Sequence, residues 1–365
     1  MAALGEVISR REAEYDAAAE MFSIPKGFNS LGEFAVAVVN FARTDAGLKD
    51  HRLVLGAATG AGSAIPSAGG FAVPDQYASD LWMAVYDTSR LLRLCDRQPM
   101  VTERLKLPAI DETSRATGSR HGAARTYWMS AEGVAPTASK PQFRLVELEL
   151  RKLLALIYAT NELVQDVPAL GAWLRRIFGL EAAFEIEDAI INGSGTDRPL
   201  GLLNSDALIS VAAESGQAAG TVVTANVEGM WERLWAPSRR TAIWLAAPGV
   251  ERQLQGLTIS SGTSVAQLLT YGPDGARLLG RPYFETEYNP SIGSAGDLIL
   301  MDPSAYLIGE QAPEFVSSIH AQFVEDETLF KFRYRVDGGP AWRTPITPKN
   351  SNTTQSPYIA LAARE

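Results

Sequence analysis

Apolar and charged positions alternate strictly over residues 146–151, with Val146, Leu148 and Leu150 set against Glu147, Glu149 and Arg151. A period of two puts the sets on opposite faces of an extended chain, so the run predicts a half-exposed strand. The same texture covers residues 100–160, with further strands expected at 104–107 and 125–129 and polar, aperiodic stretches at 111–124 and 132–141. Such a hairpin-like projection holds too few apolar residues to fold alone, and its edges need another chain to lie against. The period then changes. Leu170, Trp173, Leu174, Ile177, Leu180, Phe184 and Ile191 recur at helical spacing over residues 167–192. Asp166 can cap the start, Pro168 sits in the first turn and Gly193 ends the helix. At 1.5 Å per residue it is about 38 Å long and can serve as the spine of a domain.

The flanking patterns divide the rest. Residues 1–22 mix small and charged residues and read as an exposed helix, broken at 23–29 by Pro25 and Gly27. Ser30 with Glu33 has the capping-box spacing. The short apolar helix it opens, to about Arg43, must pack on something else. GAATGAGSAIPSAGG (56–70) is a linker by composition, so the first 70 residues look like an arm and not a domain. FAVP (71–74) is extended and leads into a helix, with Pro74 near its start. Residues 225–310 form an α/β unit: Val227, Met230 and Leu234 mark a helix, AIWLAA (242–247) a buried strand, Pro248 the start of another helix and DLILM (297–301) another strand. Phe330, Phe332, Tyr334 and Val336 alternate with charged residues in a strand expected to end at a Gly338-Gly339 turn. No solenoid-type repeat is present.

Length, at 365 residues, suggests about two domains. Hydrophobic residues at 46% exclude wholesale disorder, and the formal net charge of −9 disfavours tight nucleic-acid binding, which rests on clustered basic groups. Cys95 is the only cysteine, so no intrachain disulfide can form. The longest apolar stretch of the first half, 34–42, is nine residues and includes Asn40, whereas a spanning helix needs about 20. Charges occupy the N-terminus where a signal peptide has its apolar core, so the product is expected to be soluble and intracellular when made.

Candidate chemistry is thin. His51, His121 and His320 lack metal-ligand spacing and Cys95 has no CxxC partner. Glu181, Glu185, Glu187 and Asp188 make carboxylate pairs on the spine helix, but a ferritin-like metal site needs ExxH. They read as a solvated or partner-facing flank. Gly193-Ser194-Gly195-Thr196 follows a helix and lacks the lysine of a phosphate loop, which leaves a helix stop and a tight turn. No GxSxG elbow or Cys/His pairing occurs. No catalytic, cofactor-binding or metal residue is assigned, and no enzyme activity is expected.

One run is more specific. FEIEDAIINGSGTDRPLGLLN, residues 184–204, closely resembles the spine-helix ending of tailed-bacteriophage major capsid proteins of the Hong Kong 97 type, where a long helix ends in acidic-AI-x-NG-x-GT-x-x-PLG-[IL]-LN. AGGFAVPDQY (68–77) looks like the family's GG-[FY]-x-VP segment, ATNELVQDVP (159–168) like the lead into the spine, and VDGGPAWRTPITPKNSNTTQSPYIAL (336–361) like the C-terminal return of many members. The four pieces stand in family order, and the resemblance covers about residues 30–361.

The resemblance implies an α+β, Hong Kong 97-like capsid fold. Its parts would be an N-terminal arm (1–69), a peripheral domain on the spine helix (70–99, 159–222 and return strands 308–345), an extended β-hairpin loop (100–158), an α/β axial domain (223–307) and a C-terminal tail (346–365) returning to it. It further implies self-assembly through pentamers and hexamers into the icosahedral head of a tailed phage around double-stranded DNA. The protein would reside in the virion after synthesis in the bacterial cytoplasm. Arm and loop would cross neighbouring copies, contacts of a type that closes into rings. Other implied partners are a separate scaffold protein, a portal and, optionally, a decoration protein. Packaged DNA would be enclosed without tight or specific binding, and no cofactor or membrane is implied. The alternative is an encapsulin-type nanocompartment shell, but encapsulins generally carry a short cargo-docking helix where this chain has a long arm.

Two features depart from the family pattern. Members with a fused scaffold carry a long, cleaved N-terminal segment, whereas only 69 residues precede Gly70 here. Either the scaffold is separate or the chain is already processed, and Met1 favours the first. Cross-linking members place a lysine two residues after a Phe in the return strand of the loop; with Phe143 as that Phe, the position is Leu145, and Lys140 is out of register. Assembly contacts are assigned to Phe34 on the arm, to Arg120, Lys140 and Arg144 on the loop, and to Glu181 and Glu185 on the spine. Residues 101–152 carry nine basic and six acidic side chains, net +3, and residues 161–193 two basic and six acidic, net −4. A positive loop crossing a negative spine on the next subunit would be steered electrostatically. Ordinary solvated charge accounts for the same counts, since exposed pairs contribute only about 0–1 kcal/mol. Without the loop lysine, no autocatalytic Lys–Asn cross-link is expected. Mature particles should run as monomers on a denaturing gel, and a covalent ladder would overturn this.

Overall fold

The computed structural model describes residues 70–72, 89–110, 112–115, 120–124, 126, 128, 140, 143–160, 167–261, 264–273, 275–322 and 327–364. The arm with Phe34, the helix expected just after Pro74 and most of the strand expected at 125–129 lie outside these residues. The chain divides into two compact units, one of Met1–Ala84, Leu154–Phe178 and Pro313–Arg333, the other of Val85–Leu153, Gly179–Ala312 and Tyr334–Glu365.

The elements follow in chain order. After β1 (Gly70–Ala72) come the short helix α1 (Leu91–Leu94), β2 (Asp96–Pro99), β3 (Arg104–Ile110), β4 (Phe143–Glu149) and β5 (Arg151–Thr160). The long helix α2 spans Val167–Asn192. Next are β6 (Ile209–Val211), α3 (Thr224–Arg233), β7 (Ile243–Ala246), α4 (Val250–Leu254), β8 (Thr258–Ser261), β9 (Ser264–Gln267), β10 (Leu269–Gly272), β11 (Gly275–Leu278), β12 (Arg281–Glu285) and β13 (Leu298–Met301). Two long strands, β14 (Tyr306–Gln322) and β15 (Glu327–Pro340), precede β16 (Tyr358–Leu361).

In the second unit, seven strands order as β10-β11-β12-β7-β13-β16-β6. The central strands IWLA, LILM and YIAL are buried at every position. Continuous apolar runs of this kind are what a sheet covered on both faces requires. The sheet is mixed, β12 lying parallel to β7 and β6 parallel to β16 while β13 runs antiparallel to both its neighbours. Val227 and Met230 of α3, one helical turn apart, join Trp244, Tyr283, Leu300 and Ile359 in the core.

The second sheet has the order β1-β14-β15-β5, with β2 parallel to the first residues of β14. In the smaller unit β1 pairs antiparallel with Val316–Ser318, the Phe178 and Phe332 rings sit 5.3 Å apart, and Arg333 bridges to Glu314 at 2.7 Å. The alternation in β15 holds: Phe330, Phe332, Tyr334 and Val336 are buried. The expected turn at Gly338-Gly339 does not occur, because β15 runs through both glycines to Pro340. A Cβ on Gly338 would stand 3.0 Å from Cε1 of Tyr306 and 3.1 Å from the Leu307 oxygen. The glycine therefore serves close approach of two strands, not reversal. Ser89 and Arg90, just ahead of α1, are not helical, and the Ser89 hydroxyl accepts from the Leu92 N–H at 3.1 Å.

The C-terminal residues are fastened by a buried ion pair. Arg364 and Asp297 are 1% and 0% exposed. Both guanidinium Nη atoms donate to the carboxylate, Nη1 to Oδ1 at 3.1 Å. Asp297 Oδ2 also accepts from Gly293 N at 2.9 Å, and the Arg364 backbone pairs with Gly293 and Gly220. Removing one partner of such a pair strands a buried charge. Arg364→Met should therefore lower the unfolding free energy of the unassembled chain by about 3–5 kcal/mol in urea denaturation. A loss below about 1 kcal/mol would mean that the pair behaves as if solvated.

Candidate functional site

The motif that closes α2 builds a junction. The Gly193 N–H donates to Ala189 O at 3.0 Å, closing the helix. A Cβ on Gly193 would run into the Pro199 carbonyl oxygen and stand 2.5 Å from Ala189 O, and one on Gly201 would stand 2.7 Å from Ile191 O. Helix ends leave carbonyls without intrahelical donors. Here Asn204 Nδ2 donates to the oxygens of Asn192 (3.0 Å) and Gly193 (2.9 Å). Asn192 Nδ2 in turn donates to Asp188 Oδ1 and Tyr288 O, each at 2.8 Å. Leu200 N donates to Gly338 O at 2.8 Å, and Tyr306 Oη to Leu200 O at 2.9 Å. The run is a splice that joins the helix end to β15, to Tyr306 at the start of β14 and to the loop at Tyr288. Its glycines are there because backbones touch, and no phosphate cradle is formed.

The acidic flank of α2 is not uniform. Glu181 is exposed and Glu185 half-buried, but Glu187 is buried, which corrects the expectation of a solvated or partner-facing flank at that position. Its Oε1 accepts from the Ser89 hydroxyl and the Arg90 N–H, both at 2.6 Å, and from the Leu91 N–H at 2.9 Å. The carboxylate thus satisfies the N-terminal donors of α1, which is what allows it to be buried. Burial, with help from the Glu187 charge, pushes the Cys95 thiol and the Tyr288 phenol well above their usual values. A thiol held in that form is a poor nucleophile. Among the described residues no group of His, Cys, Asp or Glu could hold a metal ion, and no helix is long and apolar enough to cross a membrane.

β3 and β4 form a two-stranded ribbon, registered from Arg104↔Glu149 to Ile110↔Phe143. One face holds Leu105, Leu107 and Ala109 opposite Leu148, Val146 and Arg144, all half-buried or buried. The other face is graded along its length. Near the root lie Arg104 with Glu149 (Nε to Oε1 3.0 Å) and Lys106 with Glu147 (3.7 Å). Towards the tip the same face turns apolar through Pro108↔Leu145 and Ile110↔Phe143, where Phe143 is 69% and Leu145 63% exposed. At the root, the Arg104 hydrogen bond holds the Glu149 carboxyl below its usual range. Asp337 accepts from the Glu149 N–H at 2.7 Å, yet burial still pushes its carboxyl upward.

Of the residues assigned from sequence, Arg120 opens a tight turn, Arg120–Ala123, in which His121 takes a φ of 51°. Lys140 is exposed ahead of β4. Arg144 lies on the inner ribbon face and donates to Ala341 O of its own chain. On α2, Leu180, Glu181 and Phe184 are exposed, the Phe184 ring meeting Tyr288 edge-on at 5.1 Å. The sequence had signalled neither the grading of the ribbon nor Glu187. The first was legible in the pairing of KLPAI (106–110) with FRLVE (143–147) once a register is known.

Three comparisons bear on this arrangement. A family model described as the phage capsid family matches residues 69–348. No curated protein matches. Solved structures do: the capsid of a native GTA particle matches with a TM-score of 0.57 at 18% identity, over 76% of this chain and 91% of that one. Mycobacterium phage Adephagia gives 0.52 at 14%, over 75% and 89%, and Microbacterium phage Oxtober96 gives 0.51 at 15%, over 75% and 91%. At these identities the structures show a shared fold, mixed α+β and capsid-like. The family model spans most of the chain and includes the whole helix-end splice, the graded ribbon and both long strands: the chain belongs to the phage capsid family.

Proposed function

We propose that this chain is the major capsid protein of a tailed phage, assembling with copies of itself into an icosahedral head around double-stranded DNA. The observation that carries the reading is the ribbon's outer face. Pro108, Ile110, Phe143 and Leu145 form an apolar tip on a two-stranded sheet, and a face of that kind is stable in water only when something covers it. In a shell, a neighbouring copy covers it.

On this reading the fold is of the Hong Kong 97 type. Residues 1–69 act as an arm, 100–158 as the extended loop, 70–99, 159–222 and 308–345 as the peripheral domain, and 223–307 with the 346–365 tail as the axial domain. The loop, net +3, crosses the spine of the next copy, net −4. Exposed Lys140 and Glu181 are available to that contact, as are the half-buried Arg120 and Glu185, while Arg144 serves its own chain. A separate scaffold protein and a portal complete the head. The net-acidic wall encloses DNA without gripping it, and the chain has a structural role, not a catalytic one. The family match favours this over an encapsulin-type shell.

Two measurements test the reading. Ile110→Asp with Phe143→Asp should abolish shells seen by negative-stain microscopy at concentrations where the wild type assembles, with the circular dichroism of the subunit unchanged. A lost anchor of about 2 kcal/mol corresponds to an assembly threshold about 30-fold higher; an unaltered threshold would sink the proposal. Charge reversal at Arg120 and Lys140 should slow assembly at low salt and matter less at about 0.5 M salt, where screening is short-ranged. Unimpaired low-salt assembly would remove the electrostatic part alone.

A further inference from the structure

Beyond β3 the chain returns to its own subunit. Ser114 and Thr347 are partners in a parallel bridge. The Thr347 N–H donates to Thr113 O at 3.0 Å and the Arg115 N–H to Thr347 O at 2.9 Å. The Arg115 guanidinium lies over the Trp235 ring, 4.7 Å from its centre, and Trp235 packs 5.7 Å from Trp342. Glu112 holds the other side of Arg115, with Nε 3.1 Å from its carboxylate. A second tie comes from β4, where Arg144, opposite Ala109, donates to Ala341 O. Both ties end on residues 341–347, and that segment is itself fixed. Ala341 N donates to Ala305 O at 2.9 Å, and Ile346 exchanges two backbone hydrogen bonds of 2.8 Å with Gln355.

A lone two-stranded ribbon is marginal in water and has no inherent direction. Held at its tip by paired backbone and by a cation stacked on an indole, it acquires one. We propose that residues 112–115 are a strap that fixes the direction in which the ribbon leaves its subunit, with Arg115 as the positioning residue. The apolar tip then meets a second copy preformed, and the ordering entropy is spent during folding and not at the encounter. The inference rests on the shell-forming reading and adds to it a device within the single subunit.

The test uses the full chain carrying Ser114→Cys and Thr347→Cys. Bridge partners lie within the Cα separation of about 4.4–6.8 Å that a disulfide accepts, and Cys95 is buried away from competition. On oxidation the unassembled chain should close this disulfide, and the locked subunits should form the same shells at the same threshold as the reduced ones. Failure of the disulfide to close would show that the strap is not populated. Locked subunits that assemble only after reduction would mean that the contact must open, the opposite role. Either result overturns the proposal. In parallel, Arg115→Ala should speed amide exchange at positions 115 and 347 about tenfold or more, raise the assembly threshold and broaden particle size, with Arg115→Lys restoring part of each. Faster exchange with threshold and size unchanged would also overturn it. A wild-type chain that forms no shells under any condition would count against the shell reading itself, while disulfide closure and amide protection would still report on the strap.

Discussion

A helix that stops inside a protein leaves its last carbonyl oxygens facing protein, and each must find a donor or forfeit the hydration it lost. The end of α2 meets that demand with side chains from the same short run. Asn204 reaches back to two of the carbonyls and Asn192 reaches across to Tyr288. The donors can reach only because Gly193 and Gly201 let backbones approach within a distance that any side chain would forbid. Leu200 then hands the chain to β15 through Gly338, whose own missing side chain admits the Tyr306 ring. Three glycines and two asparagines thus set where the helix, a long strand and the central sheet sit in the larger unit. The rest of that unit is hung from this point.

The other fixed points are buried charges. Glu187 under α1, Glu310 between Arg97 and Tyr334, and Asp297 with Arg364 are each nearly or wholly out of water and each supplied with donors. Such groups add less to net stability than an apolar replacement can, but a packing that removes one partner is heavily penalised. That asymmetry suits a protein whose copies must all present the same surfaces. An alternative arrangement of the core would strand a carboxylate, so the subunit has few near-native shapes to sample.

How much of this was legible in sequence depended on whether the signal was local. The long helix was readable because its apolar content, its first-turn proline and the glycine just past its end are local signals, and the structure bounds it at Val167–Asn192. The expected stripe was the wrong face, however: Ile177, Leu180 and Phe184 are exposed while Phe178, Ala182, Ile186 and Ala189 are buried. The strands at AIWLAA and DLILM were readable as apolar runs too short for helices. Gly338-Gly339 misled because a glycine pair signals a turn by composition, while its reason here is a ring 32 positions upstream. Glu187 misled because its donors lie 96–98 positions away, and nothing in EIED separates it from its half-buried acidic neighbours. The strap was invisible for a related reason: residues 111–124 are polar and aperiodic in sequence, while residues 113–115 are held by pairing with Thr347 and by one tryptophan ring.

The placement of β16 bears on time as well as space. It occupies the interior of the seven-stranded sheet, between β13 and β6, and its partner Ile209 precedes Ile359 by 150 positions. A strand at the rim could be added to a finished sheet, but this one separates two others. On the ribosome β6 would therefore wait, unpaired on that side, while everything between it and β16 is synthesised, and pairings so distant in sequence form slowly. The growing chain lacks a complete wall unit until those late residues emerge. Synthesis itself thereby delays the moment at which a subunit becomes competent to join its neighbours.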